Sequence, residues 1–206
     1  MSRVIVYIDG FNLYFGLRSK GWRKYYWLDL VRLSRALLKA EQHLEAVHYF
    51  TSRIRANGRN AEDIRRQNTY LEALSTSAGI AMHFGHYLDK PKQCRVCNAR
   101  WVDYEEKMTD VNIAVQLLTD AFEGRFDAAL LISADSDLTT PVRRVLSRFS
   151  DKRVVIAQPP GRNSVSLCRA ASGYFTIGEA KLRNAQLPLD VTRADGFVLT
   201  RPSHWR

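Results

Sequence analysis

Four aspartates carry the clearest chemical signal in this chain of 206 residues. Asp9 directly follows an apolar run near the N-terminus, and Asp135 and Asp137 follow a second apolar run later in the chain. Asp110 heads the amphipathic segment that precedes this second run. Because ligands of open parallel sheets bind outside the carboxyl ends of the strands, these side chains are predicted to meet in one crevice.

Carboxylates gathered in one crevice repel each other, and their pKa values rise unless a cation neutralises them. A set of oxygen ligands without histidine favours Mg²⁺ or Mn²⁺ over zinc, and Mg²⁺ keeps several waters. Asn12 adds an amide beside Asp9. Such an ion polarises a phosphodiester and activates an attacking water, so hydrolysis of a nucleic-acid backbone is the predicted chemistry. Taken singly, each aspartate is also explained as a helix cap or a turn residue.

Short β-branched runs alternate with longer amphipathic segments, which predicts one α/β domain built of βαβ units on a mostly parallel sheet. Predicted strands cover 3–8, 44–51, 80–87, 128–133, 153–157 and the region of residue 175, and predicted helices cover 29–39, 60–77, 110–122, 139–149 and 164–171. The pattern loses its period over about 89–103, where we expect an inserted loop or knuckle that contains two cysteines. One domain is predicted over 1–188, followed by a C-terminal tail over 189–206.

The chain is basic, with 31 lysines and arginines against 21 acids and a net charge of +10. Such a surplus attracts polyanions, so nucleic acid is the first partner to consider. The residues predicted to hold phosphates are Arg18, Arg53, Arg143, Arg162 and Lys107. Single-stranded RNA is the favoured substrate, because its unstacked backbone bends into a sheet-edge crevice and its bases stack on aromatic side chains.

No apolar run approaches the ~20 residues that a membrane helix needs, so no membrane partner is expected. The N-terminus leads directly into the first predicted strand without the pattern of a secretory leader. We therefore expect a cytoplasmic protein.

Cys94 and Cys97 have the spacing of half a zinc site, whereas a structural site needs four ligands. His83 and His86 lie just upstream, although residues three apart in a strand point to opposite faces. A second copy of the chain would also complete the set, which is compatible with a homodimer. The remaining alternative is a reduced thiol pair in a surface loop.

Three segments resemble the NYN domain family, a group of PIN-like nucleases, and the chain looks closest to its LabA-like bacterial branch. They are Tyr7–Tyr14, Glu105–Ala114 and Leu131–Leu138, in that order along the chain. The resemblance implies a PIN-like, Rossmann-like three-layer α/β/α sandwich with a mostly parallel central sheet, and an acidic pocket that binds Mg²⁺ or Mn²⁺ for RNA cleavage.

Carried over residue by residue, the resemblance assigns roles to the candidates named above. Asp9 matches the first-strand aspartate of the family and Asn12 the polar residue that follows it. Asp110 matches the helix-start aspartate. Ser133 matches the small hydroxyl residue ahead of the last acidic pair, which Asp135 and Asp137 match. Apart from the resemblance, Glu106 is a candidate fifth carboxylate of the pocket, and a solvated position at the helix start, where negative charge is stabilised, explains it equally well.

Together these observations predict a metal-dependent ribonuclease, with an endoribonuclease favoured and cleavage from an end as the alternative. The four aspartates are expected to hold the ion and its waters, and Asn12 and Ser133 to orient them. One alternative keeps the fold and uses the acidic pocket only to bind nucleic acid or a regulatory partner. Another is a phosphatase or a sugar-nucleotide transferase that uses Asp135 and Asp137 as an isolated metal clamp.

Overall fold

The computed structural model describes residues 1–205, apart from the side chains of residues 89 and 103–106. The elements in chain order are β1 (Ser2–Asp9), α1 (Gly10–Ser19), α2 (Leu30–Leu37), β2 (Gln42–Thr51), α3 (Ala61–Ser75), β3 (Ile80–Phe84), β4 (His86–Gln93), β5 (Arg100–Lys107), α4 (Thr109–Phe122), β6 (Ala128–Ile132), α5 (Thr139–Arg148), β7 (Arg153–Gln158), α6 (Val165–Ala170), β8 (Gly173–Thr176), α7 (Glu179–Asn184), β9 (Asp190–Thr192) and β10 (Val198–Thr200). The predicted helices and most of the predicted strands are confirmed to within about two residues at their ends, which is the usual uncertainty of element boundaries.

A six-stranded sheet forms the centre of the molecule, in the order β3-β2-β1-β6-β7-β8. All of its strand pairs are parallel. The apolar strands β1 and β6 are neighbours, and their pairing runs to Ile8 beside Ile132. The next residues of both strands therefore leave the sheet side by side.

Helices cover both faces of the sheet, which confirms the three-layer α/β/α prediction. Side chains of a strand alternate between faces, and β1 shows this directly. Val4 and Ile8 belong to the core that includes the leucines of α2, whereas Ile5 and Tyr7 belong to the core under α4 and α5. Each of these side chains is at most 2% exposed, so β1 is held from both sides.

The segment 89–103, predicted as an inserted loop or knuckle, has more regular structure than expected. The segment lies in an antiparallel hairpin of β4 and β5 that forms a two-stranded sheet of its own. The predicted strand over 80–87 is accordingly two strands that meet at Gly85. Sequence periodicity missed the hairpin because polar and apolar residues do not alternate regularly along it.

The segment 189–206 was expected to be an irregular tail, whereas β9 and β10 pair there as a second hairpin. Beyond it, Trp205 is buried and packs edge-on against Tyr26 and Tyr70. The tail prediction is therefore wrong for the residues that the structure describes. Across those same residues, no helix has both the length and the apolar composition needed to cross a membrane.

Candidate functional site

Asp9 lies at the junction of β1 and α1 and is the centre of the candidate site. Its side chain caps α1: Oδ1 accepts a hydrogen bond from the backbone N–H of Asn12 at 2.9 Å, and Oδ2 accepts from the Asn12 amide at 2.7 Å. N-terminal capping by aspartate satisfies backbone donors that the helix leaves free. The cap fixes the orientation of the carboxylate and of the Asn12 side chain together.

The second acidic segment reaches Asp9 through Ser133. The Ser133 hydroxyl donates to Asp9 Oδ2 at 2.8 Å, across 124 residues of sequence. The same hydroxyl oxygen accepts from the backbone N–H of Asp135 at 3.0 Å, and Asp135 Oδ1 accepts from the backbone N–H of Asp137 at 3.0 Å. The structure therefore brings together Asp9, Asn12, Ser133 and Asp135 in one hydrogen-bonded set.

Asp9 is only 1% exposed, and the donors that reach its carboxylate from the described residues are all uncharged. Burial raises its pKa above the ordinary value, and the nearby charge of Asp135 raises it further. The hydrogen bonds from Asn12 and Ser133 lower the pKa and offset only part of this effect. A buried carboxylate beside a second carboxylate is an environment that a cation stabilises.

The other two predicted acids lie at the same edge with different degrees of exposure. Asp110 is half-buried in the first turn of α4, which packs against β1 and the 3₁₀ turn Ser136–Leu138. Asp137 lies in that turn and is exposed. The side chain of Glu106 lies outside the described residues.

The donor set fits a hard divalent ion with water in its shell. Among the side chains that the structure describes, no three histidine, cysteine, aspartate or glutamate residues form a ready-made ligand shell. Mg²⁺ typically takes one or two carboxylates directly and keeps its waters. Asp9 Oδ1 accepts one hydrogen bond and retains a lone pair, and Asp135 supplies a second carboxylate close by.

Sequence reasoning missed the contribution of β2 to this site. Tyr49 and Phe50 pair with Ile8 and Asp9 across the sheet. A Cβ atom on Gly10 would lie 2.7 Å from the Phe50 carbonyl oxygen and 2.8 Å from the Tyr49 ring. Gly10 therefore permits the start of α1 to approach β2 closely. Burial together with the Asp9 charge raises the pKa of Tyr49 to about 12.

Of the predicted phosphate-binding residues, Arg162 contacts the site directly. Its Nε lies 3.4 Å from Asn12 Oδ1. The Asn12 amide in turn donates to the Asp9 carboxylate, so Arg162 is linked to Asp9 through Asn12. Arg18 is exposed on α1 and Arg143 is exposed on α5. No contact to the acids is observed for these two among the described side chains.

The remaining two basic residues lie on neighbouring elements. Arg53 follows β2, where it donates to Asn68 and lies over the Phe84 ring at 5.0 Å. Lys107 is the exposed last residue of β5, directly before α4. Both segments adjoin elements that form the site.

Aromatic side chains line the outer face of α1, next to its acidic N-terminus. Phe11 and Phe15 are roughly parallel, with ring centroids 6.4 Å apart and an interplanar angle of 20°. Tyr14 packs edge-on against Phe15, and both are about two-fifths exposed, at 42% and 41%. Exposed aromatic faces of this kind suit the stacking of unpaired bases.

The cysteines lie far from the acids, in the turn that joins β4 and β5. Backbone N–H groups of Cys97 and Val96 hold the pKa of the Cys94 thiol below its ordinary value. The idea of a Cys₂His₂ site within the chain is wrong in the structure. His83 instead contacts His48, with His48 Nδ1 and His83 Nε2 2.9 Å apart, and His86 begins β4 at the opposite end of the hairpin.

The sheet order, the two helical layers and the aspartates at the carboxyl ends of the strands define a nuclease-like α/β/α domain. The family model of the NYN domain matches residues 3–179. The chain belongs to the NYN domain family, whose members are generally nucleases and generally bind nucleic acid. Membership in the LabA-like branch stays a prediction.

Two individual proteins are similar to this chain. One is 6-hydroxy-3-succinoylpyridine 3-monooxygenase HspA from Pseudomonas putida, which is 30% identical over 191 residues, covering 76% of this chain and 59% of the relative. The chain thus spans under two thirds of that protein. The other is a crystal structure of a protein of unknown function from Vibrio parahaemolyticus, with a TM-score of 0.56 and 19% identity, covering 86% of this chain and 94% of the other. The second likeness supports the fold.

Proposed function

We propose that this protein is a metal-dependent ribonuclease that uses Mg²⁺ or Mn²⁺ to hydrolyse RNA phosphodiester bonds. The observation that carries the proposal is the buried Asp9 carboxylate, which receives only uncharged donors and stands beside Asp135. A buried negative charge without a cationic partner is costly. A divalent cation removes this cost and joins the two segments of the site.

In this proposal Asp9 and Asp135 hold the ion, with Asp110 and Asp137 contacting its waters from α4 and the adjoining turn. When bound, a hydrated divalent ion supplies charge stabilisation for a phosphoryl oxygen and a water of lowered pKa. Asn12 and Ser133 fix the Asp9 carboxylate through their hydrogen bonds. Arg162 is positioned beside Asn12 to bind a phosphate of the substrate.

Single-stranded RNA is the proposed substrate. The rings of Phe11, Tyr14 and Phe15 and the Arg18 charge lie on one outer face of α1, and α1 begins at the acidic edge. An unpaired strand can place its bases on these rings while its backbone reaches the carboxylates. A duplex has no bases free to stack.

The experiment is cleavage of an end-labelled single-stranded RNA by the purified chain with Mg²⁺, Mn²⁺ or EDTA. We expect cleavage with either metal and none with EDTA. The variants Asp9→Asn and Asp135→Asn are expected to lose about 100-fold or more in rate, the size of effect seen when one electrostatic group of a catalytic site is removed. Asp151→Asn is the matched control, because Asp151 is exposed and precedes β7 at the opposite edge of the sheet.

The other outcomes of this assay are informative. Cleavage that survives in both Asp9→Asn and Asp135→Asn would contradict the proposed site. Metal-dependent RNA binding without cleavage would instead identify a regulatory binding module. Turnover of small phosphoesters in the absence of RNA cleavage would identify a phosphatase or a sugar-nucleotide transferase.

A second candidate function comes from the relative named as a 6-hydroxy-3-succinoylpyridine 3-monooxygenase. A monooxygenase inserts one oxygen atom from O₂ and needs two electrons from an external reductant. Incubation of the chain with that pyridine, O₂ and a reductant tests this candidate by mass spectrometry of the product. Hydroxylation that persists in Asp9→Asn would separate this activity from the acidic site.

A further inference from the structure

The hairpin of β4 and β5 stands apart from the rest of the domain. Within the described part of the chain, its two strands pack extensively only against each other. An isolated two-stranded hairpin is marginally stable in water. Leu88, Trp101 and Val102 on this hairpin are nevertheless 48%, 49% and 51% exposed, and Val96 at the tip is 93% exposed. We therefore expect a further interaction that stabilises the hairpin and buries these apolar side chains.

The tip of the hairpin has the local geometry of half a metal site. The Cys94 N–H donates to the Ala99 carbonyl at 2.8 Å, and the Asn98 N–H donates to the Cys94 carbonyl at 3.0 Å. Asn98 has a φ of 57°, which lets the turn close. The Cys94 sulfur accepts hydrogen bonds from the backbone of Val96 and Cys97. This turn places two sulfur ligands at one end and directs backbone donors toward one of them.

The described part of the chain does not offer the missing ligands. No third histidine, cysteine, aspartate or glutamate among its side chains joins the two cysteines in a metal cluster. At a rise of about 3.4 Å per residue, His86 lies about 24 Å from Gln93 at the tip. Cys168, the remaining cysteine, is buried in α6 and contacts Gln158. Zinc sites require three or four protein ligands, so two cysteines alone are insufficient.

We propose that Cys94 and Cys97 of two copies of this chain together bind one Zn²⁺ in a Cys₄ site, which joins the hairpin tips in a homodimer. The site is incomplete without the second copy, which supplies two of its four sulfurs. Four thiolates with one Zn²⁺ carry a net charge of −2. The sequence around each tip is rich in positive charge, at Lys90, Lys92, Arg95 and Arg100, which suits a negatively charged centre. The exposed apolar side chains of the hairpin are covered by the partner copy.

The test measures the zinc content and the mass in solution of the full chain, purified under reducing conditions with Zn²⁺ as the added metal. We expect about 0.5 Zn²⁺ per chain and the mass of two chains, as a shared four-sulfur site requires. A strong chelator is expected to give the mass of one chain, and added Zn²⁺ is expected to restore the dimer. Co²⁺ in place of zinc should give the charge-transfer absorption of a site with four sulfur ligands.

Cys94→Ser and Cys97→Ser each remove two of the four ligands in the dimer, so both variants are expected to be monomeric and free of zinc. Cys168→Ser is the matched control and should keep both properties. Circular dichroism and thermal unfolding show whether each variant retains the domain fold, and the chelator experiment gives the same information on the unmodified chain. One zinc per monomer, no bound zinc, or a dimer that persists without zinc would each overturn the proposal.

Discussion

Two fully buried aspartates, Asp9 and Asp120, have opposite electrostatic surroundings. Asp120 on α4 is 0% exposed and accepts hydrogen bonds from the Tyr7 hydroxyl at 2.7 Å and from the Arg125 guanidinium at 3.1 Å. His48 Nε2 lies 3.5 Å from the same carboxylate. Asp9 is equally buried but receives only uncharged donors and faces another carboxylate, Asp135.

This difference separates a structural acid from a candidate functional one. At Asp120 the protein supplies the compensating charge, and the carboxylate joins α4 to the strands beneath it. At Asp9 the donors from the described side chains are uncharged, and the Arg162 guanidinium reaches Asn12 and not the carboxylate, so the carboxylate keeps its affinity for a cation from outside the chain. Perturbed acids near like charges are typical of functional sites, whereas paired buried acids are typical of structural networks.

The largest expected effect on stability comes from Asp120→Asn. Loss of charged hydrogen bonds to Tyr7 and Arg125 should lower the free energy of unfolding by about 2 kcal/mol. In the same metal-free buffer, Asp9→Asn should change it by less than about 1 kcal/mol, because asparagine also caps helices and the repulsion with Asp135 disappears. Urea denaturation of the two variants measures both values. A larger loss in Asp9→Asn than in Asp120→Asn would contradict the comparison.

The close packing that buries Asp9 gives the next prediction. In Gly10→Ala the new methyl group would meet the Phe50 carbonyl and the Tyr49 ring, so the free energy of unfolding should fall by about 1–2 kcal/mol. RNA cleavage should fall with it, because the start of α1 and β2 must move apart beside Asp9. Gly173→Ala is the control, since a Cβ atom there has no neighbour within 4 Å. Equal stability of the two variants in urea would argue against this packing constraint.

Metal binding should stabilise the folded chain through Asp9 and not through Asp120. Mn²⁺ at ten times its dissociation constant should raise the free energy of unfolding by about 1.4 kcal/mol, if the ion binds only the folded state. The increment should vanish in Asp9→Asn and persist in Asp120→Asn, because only Asp9 belongs to the proposed ion site. Thermal unfolding with and without Mn²⁺ measures it. An increment that survives in Asp9→Asn would place the ion elsewhere.

The smallest expected effect is the pH dependence around Asp120. Burial lowers the pKa of both His48 and His83 below the ordinary value, while the Asp120 charge opposes this shift. Between the folded-state pKa and about 6.5, the unfolded chain binds more protons than the folded chain. Stability should therefore be complete above pH 6.5 and decline as the pH falls through the folded-state values. Urea denaturation at several pH values checks the sign, and His48→Gln should reduce the decline.

The convergence of Asp9, Asn12, Ser133 and Asp135 was predictable because it follows from topology. Polar residues directly after neighbouring parallel strands must leave the sheet at one edge, and two long apolar runs identified the central strands. The same reasoning could not predict the Asp120 network. Asp120 looks like an ordinary polar residue near the end of a helix, and its partners Tyr7 and His48 come from other elements through tertiary packing.

The two hairpins were missed for different physical reasons. The strands of β4 and β5 have many exposed side chains, so burial does not impose an alternating pattern on their sequence. The strands β9 and β10 have only three residues each, which is too short for a period to be recognised. Burial of Trp205 depends on distant aromatic partners, and a single aromatic residue near the chain end gives no sign of them.

The adjacency of β1 and β6 has a consequence for synthesis of the chain. The Ser133 hydroxyl and the Asp9 carboxylate are separated by 124 residues, so their contact closes a long loop that adds to the entropic cost of folding. A nascent polypeptide that has not yet emerged from the ribosome as far as β6 holds Asp9 without its later partners. The acidic site can therefore assemble only after the chain has emerged through Asp137, and a translation product truncated before β6 would lack it.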